Sequence, residues 1–158
     1  MVLLTTDEQR ETIAADLVLC HRIDGWSKSA QMPRYFTLVE ANQTLQTIKP
    51  LMDEVQSIRQ EIIRQQPETW DAIQRSAGNG GNPLLSKLVV KFERLDDLVH
   101  RILATGVELK DINTGLLDFR ALRHDQEVYL CWKHGEEQIQ FWHEIEAGFA
   151  GRQPIELF

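Results

Sequence analysis

The sequence predicts an α+β fold: a long antiparallel helical hairpin of coiled-coil type, then a small three-stranded antiparallel sheet and a C-terminal helix. Three observations carry that prediction. Residues 37–66 and 82–105 each repeat apolar side chains at helical steps of three and four. The break Gly78-Asn79-Gly80-Gly81 lies between them. After Gly106 the apolar period shortens to that of a half-buried strand.

Ahead of the hairpin, residues 1–31 form an extension to the single domain expected over 32–158. Thr5 with Glu8, and Thr6 with Gln9, match the capping box, in which two side chains satisfy amides at a helix start. Ile13, Leu17 and Cys20 then give only a narrow stripe. A short helix of that kind, over about 7–21, docks on the body or stays disordered.

The first long helix opens at Thr37-Leu38-Val39-Glu40, a capping box of the S/T-x-x-E form. Leu38, Ala41, Leu45, Ile48, Met52, Val55, Ile58 and Ile62 place one apolar stripe on its face. Pro50 falls inside the stripe, where a missing donor and a crowded preceding turn predict a kink. At Gln65-Gln66-Pro67 the pattern loosens, and Pro67 followed by Trp70, Ile73 and Ala77 predicts a separate short helix. Asn82-Pro83 starts the second long helix, whose stripe is Leu85, Leu88, Phe92, Leu95, Val99 and Ile102. Gly106 ends it. Two such stripes joined through a glycine break favour antiparallel packing of the left-handed coiled-coil kind.

The tail begins with a strand over 107–112, a turn at Asn113-Thr114-Gly115 and a short second strand over 116–119. Residues 120–126 are polar and predict a loop. The third strand, 127–133, alternates Val128, Leu130 and Trp132 with Tyr129, Cys131 and Lys133. Gly135 breaks it, and Ile139, Trp142, Ile145 and Phe149 then predict a final helix over 136–147. Three short strands need such a helical cover. Trp132 and Trp142 become core residues where that helix meets the sheet, in preference to a ligand platform.

A chain of 158 residues is long enough to bury one core, and 42% hydrophobic with 26% charged residues is the balance of an ordered domain. The net charge of −7 is uneven: −2 over 1–32, zero over 33–106 and −5 over 107–158. Such a surface does not attract a phosphate backbone, which sets nucleic acid aside as a partner. It attracts cations or a basic partner, unless it serves only solubility. Two cysteines, Cys20 and Cys131, form neither a CxxC nor a zinc-like spacing, as expected in a reducing cytoplasm. The sequence has neither the roughly 20-residue apolar run of a membrane span nor a secretory leader.

From Met32 onward the chain resembles a bacterial family known only as domain of unknown function 2203. The residues that carry the likeness are 34–42 (RYFTLVEAN), the 78–81 glycine break, 107–111 (VELKD) and 114–119 (TGLLDF). It continues through 128–132 (VYLCW), Gly135-Glu136, Trp142-His143 and 148–152 (GFAGR). The resemblance implies a small cytosolic bacterial protein and brings no activity with it.

Candidate chemistry concentrates in the tail. On the predicted last helix Glu136, His143 and Glu146 share a polar strip, and His143 with Glu146 at i, i+3 can present an imidazole and a carboxylate to one metal ion. Asp111, Asp118 or Glu108 from the strands would complete the shell, and a nitrogen ligand favours manganese, iron or zinc over calcium. The plain structural alternative is a solvated helix face. Cys131, with His134 and His143 nearby in sequence, raises a thiol nucleophile, but its acidic surroundings are the wrong ones for lowering a thiol pKa. Arg152, after Gly148 and Gly151, can clamp a carboxylate or phosphate, or else pair with Asp118 or Glu146.

Two functions of different class follow. One is a non-enzymatic interaction or assembly module, homo-oligomeric or bound to a protein partner through the hairpin, because a two-helix stripe rarely buries both flanks without a third element. The other is a divalent-metal-binding protein of hydrolase type using His143, Glu146 and nearby carboxylates. No motif names a reaction or a catalytic residue.

Overall fold

The computed structural model describes residues 33–75 and 83–158. The predicted extension at 1–31 and the glycine break at 78–81 lie outside the described residues. Two helices, α1 (Leu38–Arg75) and α2 (Pro83–Leu103), precede five strands. These are β1 (Glu108–Asp111), β2 (Leu116–Arg123), β3 (Gln126–Lys133), β4 (Phe141–Glu144) and β5 (Gln153–Pro154). They form one antiparallel sheet in the order β1-β2-β3-β4-β5.

Helix α1 opens with the predicted capping box. The Glu40 amide donates to the Thr37 hydroxyl at 3.2 Å, and the Thr37 amide donates back to the Glu40 carboxylate at 2.9 Å. The helix then runs through Pro50 and Pro67, so the separate short helix expected from Pro67 is corrected to a continuation of α1. A proline deletes one backbone bond of the ladder, and the bonds on either side carry the helix across it. Of the predicted stripes, Ala41, Leu45, Ile48, Met52 and Val55 are fully buried, as are Val99 and Ile102, and Leu98, outside the predicted stripe, is buried with them.

The described residues fall in two compact units. Met32–Ile58 with Glu93–Phe158 holds the sheet and the sheet-proximal parts of both helices; Arg59–Phe92 lies in the other. In the first, Arg94 grips Glu54 in a bidentate pair at 2.7 and 2.9 Å. In the second, Lys91 reaches Glu61 at 2.9 Å.

The three-stranded sheet with a C-terminal helix is corrected to a five-stranded sheet with no such helix. Two changes produce it. The polar stretch expected to loop at 120–126 instead extends β2, and a two-residue turn at His124-Asp125, both at positive φ, leads into β3. Charge did not prevent a strand here because the Arg120 guanidinium finds Glu108 at 2.7 Å and Arg123 lies over the Trp142 ring at 4.7 Å. The second change is at 136–147, where the three- and four-residue spacing of Ile139, Trp142, Ile145 and Phe149 is not a buried helix face. Ile139 and Trp142 are buried, whereas Ile145 and Phe149 are 37% and 48% exposed. Phe141–Glu144 forms β4 against β3, and β5 pairs on its other side.

One face of the sheet is apolar. Leu117, Phe119, Ala121, Val128, Leu130, Trp132 and Trp142 are buried on it. Phe36 stands edge-on to Phe119 at 5.4 Å and donates its amide to the Arg120 carbonyl at 2.8 Å. From α1, Gln56 donates to the Ile112 carbonyl at 2.8 Å, Asp53 meets His134 at 2.7 Å, and the Asn42 carboxamide oxygen accepts from the Ile139 amide at 3.0 Å. No helix among the described residues is long and apolar enough to cross a membrane.

Candidate metal centre

The opposite face of the sheet carries the candidate cluster, and strand register determines which side chains meet there. Asp118 on β2 pairs with Cys131 on β3, and two residues away on β3 Tyr129 pairs with His143 on β4. Because strand side chains alternate, Asp118, Cys131, Tyr129 and His143 all point to this face. Their ligand atoms come together: one atom each from Asp118, Cys131 and His143 lies within 4.8 Å of the others. All three side chains are buried, Asp118 and His143 at 2% exposure and Cys131 at zero.

His143 is held at both ring nitrogens. Nδ1 lies 2.8 Å from the Glu144 carbonyl oxygen and Nε2 lies 3.3 Å from Asp118 Oδ2. A carbonyl can only accept, so Nδ1 carries a proton, and in the neutral ring the Nε2 lone pair faces the carboxylate and thiol. Asp118 Oδ1 is buried with no hydrogen-bond partner among the described residues. Burial pushes the Asp118 carboxyl above its ordinary range, although His143, the Cys131 thiol and Lys110 pull the other way. Burial, together with the charge of Asp118, pushes the Cys131 thiol up to about 12.

A charged layer borders the cluster. Glu108 receives Lys110 at 2.6 Å, Arg120 at 2.7 Å and the Tyr129 hydroxyl at 3.0 Å. Burial alone would raise the Glu108 carboxyl, but these partners outweigh it and hold it below its usual range. Lys110 also lies over the Tyr129 ring at 4.3 Å, and that ring is 5.5 Å from the His143 imidazole. On the other flank, Arg152 donates to both oxygens of Glu136 at 2.8 and 2.9 Å and to the Cys131 carbonyl at 3.3 Å.

The residues expected to share a metal are thus divided. Asp118 and His143 come together, and the thiol that joins them is Cys131, considered from sequence only as a nucleophile. Glu146 does not stand beside His143, because β4 is a strand and Glu146 lies exposed in the turn after it. Glu136 is taken by Arg152, which therefore pairs with neither Asp118 nor Glu146. Asp111 closes the β1–β2 turn, accepting from the Asn113 amide at 2.8 Å and the Thr114 hydroxyl at 2.6 Å. Trp132 and Trp142 are buried as core residues. The sequence signal for this cluster was the shared parity of Asp118, Cys131 and His143, visible only once 141–144 is taken as a strand.

The protein-family description "Uncharacterized conserved protein (DUF2203)" matches residues 34–155. No curated protein and no solved structure matches the chain. With most of its length inside that match, from the residue before Tyr35 to Ile155, the chain belongs to the uncharacterized DUF2203 family.

Proposed function

We propose that the protein binds a divalent transition metal, zinc in first place, through Asp118, Cys131 and His143. The observation that carries this reading is the convergence of a carboxylate oxygen, a thiol sulfur and an imidazole nitrogen within 4.8 Å in a buried position. Ligand atoms about 2.0–2.3 Å from one tetrahedral ion lie about 3.3–3.8 Å apart, so the cluster closes on zinc by contracting about 1 Å. A thiolate beside an imidazole favours zinc over the magnesium or calcium that all-oxygen sites prefer. The Nδ1 bond to the Glu144 carbonyl is the outer contact that orients a metal-binding histidine. Three protein ligands leave a tetrahedral ion one further position, as in zinc sites that activate water. The metal displaces the proton that burial keeps on the thiol.

Metal content of untagged protein by mass spectrometry tests this directly. Wild type is expected to carry one zinc per chain, and His143→Ala and Cys131→Ser to carry little. Added zinc at about a hundredfold its Kd stabilises the apoprotein by about 2.7 kcal/mol, or about 5–10 °C in melting midpoint for a chain of this size. Metal-free wild type whose melting is unmoved by zinc and by manganese sinks the reading.

A second reading rests on a different observation: Ile63, Val89 and Val90 are 37%, 54% and 63% exposed. These apolar side chains lie in the helical segment that carries no net charge. Two copies of the chain can meet there without the repulsion their acidic tails exert.

A further inference from the structure

A cavity of about 180 Å³ lies at the end of the apolar sheet face, lined by Arg123, Glu127, Val128, Trp142, Glu144 and Glu146 among others. It is separate from the Asp118 cluster, because Trp142 and His143 are consecutive on β4 and point to opposite faces. Two of its residues hold buried donors with no acceptor among the described residues: the Trp142 indole Nε1 and the Arg123 Nε. Trp142 is itself only 3% exposed. Buried donors are almost always satisfied, so two orphans on residues that line one cavity point to an acceptor supplied from outside the chain.

The remaining polar groups restrict what that acceptor belongs to. Arg123 is fixed over the Trp142 ring at 4.7 Å and donates another nitrogen to the Leu157 carbonyl at 3.0 Å, so its fork is already oriented. Glu127 is engaged by Arg120 and by the Tyr35 hydroxyl. Glu144 and Glu146 have no ion-pair partner among the described residues, leaving two carboxylates against one guanidinium. A ligand with one carboxylate and two ammonium groups matches this set group for group.

We propose that this cavity binds a small basic amino acid, its carboxylate on Arg123 and Trp142 and its ammonium groups on Glu144 and Glu146. The geometry is that of charge-assisted recognition beside an aromatic wall. The volume suits a ligand of amino-acid size and is below the roughly 300 Å³ of a typical drug-sized pocket.

The indole Nε1–H resonances in a proton–nitrogen correlation spectrum report on this site. The chain has four tryptophans, and the Trp142 signal is the one missing in Trp142→Phe. Titration with L-lysine is expected to displace that resonance saturably while leaving the Trp132 signal in place. Arg123→Gln, which keeps Trp142, is expected to abolish the displacement. Glu144→Gln with Glu146→Gln is expected to weaken binding by about tenfold or more. No displacement at about 10 mM L-lysine, beyond the millimolar range of weak specific binding, overturns the proposal. So does an equal response to 1,5-diaminopentane, which lacks the carboxylate, or an undiminished response in Arg123→Gln.

Discussion

Gly115 stands in the β1–β2 turn at φ +65, and a β-carbon there would meet His134 Cβ at 2.6 Å and Met52 Sδ at 3.2 Å. Only glycine combines the left-handed backbone with so close an approach. Gly115→Ala is expected to cost about 2 kcal/mol or more, read as a lower urea midpoint with unchanged slope. Cys131 shows surroundings deciding chemistry in another way. A thiol pushed up to about 12 keeps its proton at neutral pH, which removes the thiolate that a nucleophile requires. The same side chain lies beside Asp118 and His143, where the proposed metal would take the place of the proton. Residue chemistry was therefore legible in the sequence: an imidazole, a carboxylate and a thiol in one acidic tail were all visible as candidates. Which three meet was not, because β-sheet neighbours are set by register and not by distance along the chain.

At the scale of elements, helices were easier to read than strands. The stripe from Ala41 to Val55 spans four turns, and its capping box fixes where it begins, so two independent signals agree. Phe141–Glu144 offers four residues and one apolar alternation, too few to outweigh an accidental helical spacing that runs from Ile139 to Phe149. The turn that ends β2 was hidden for a related reason. Its His124-Asp125 pair adopts positive φ without the glycine or asparagine that advertises such a turn. The cap itself carries a pH signature. The Thr37 amide, followed by its hydroxyl, hydrogen-bonds the Glu40 carboxylate and holds it below its ordinary 4.5. A folded-state value below the unfolded one means that this contribution is present above pH 4.5 and is lost as pH falls through the folded value. Urea midpoints measured down that range should fall less steeply in Glu40→Gln than in wild type. Parallel curves would show that the cap does not titrate with folding.

Across the whole molecule, the buried apolar residues are unevenly shared. The buried core side chains of the described residues belong to Met32–Ile58 and Glu93–Phe158, and none lies at residues 59–65 or 86–92. Those residues instead present Ile63, Val89 and Val90. If two copies cover each other there, sedimentation equilibrium finds a dimer that Val90→Glu splits into monomers. A wild type that stays monomeric at all concentrations ends that reading. The α+β class and the helical stripe could be foreseen from periodicity alone, whereas the size of the sheet depended on the two short elements that periodicity misjudged.

The strand order has a consequence for how the chain is made. Each strand lies beside the one synthesised just before it, so the sheet closes only short loops, which carry a small entropic cost. The long closures are those that tie the first helix and the residue pair before it to the sheet and its loops, at Phe36 with Arg120, Asn42 with Ile139 and Gln56 with Ile112. On the ribosome α1 is therefore complete well before the surface it covers exists. Its apolar stripe cannot meet the sheet until the strands have emerged, and apolar surface exposed in that interval is what a chaperone covers on a nascent chain.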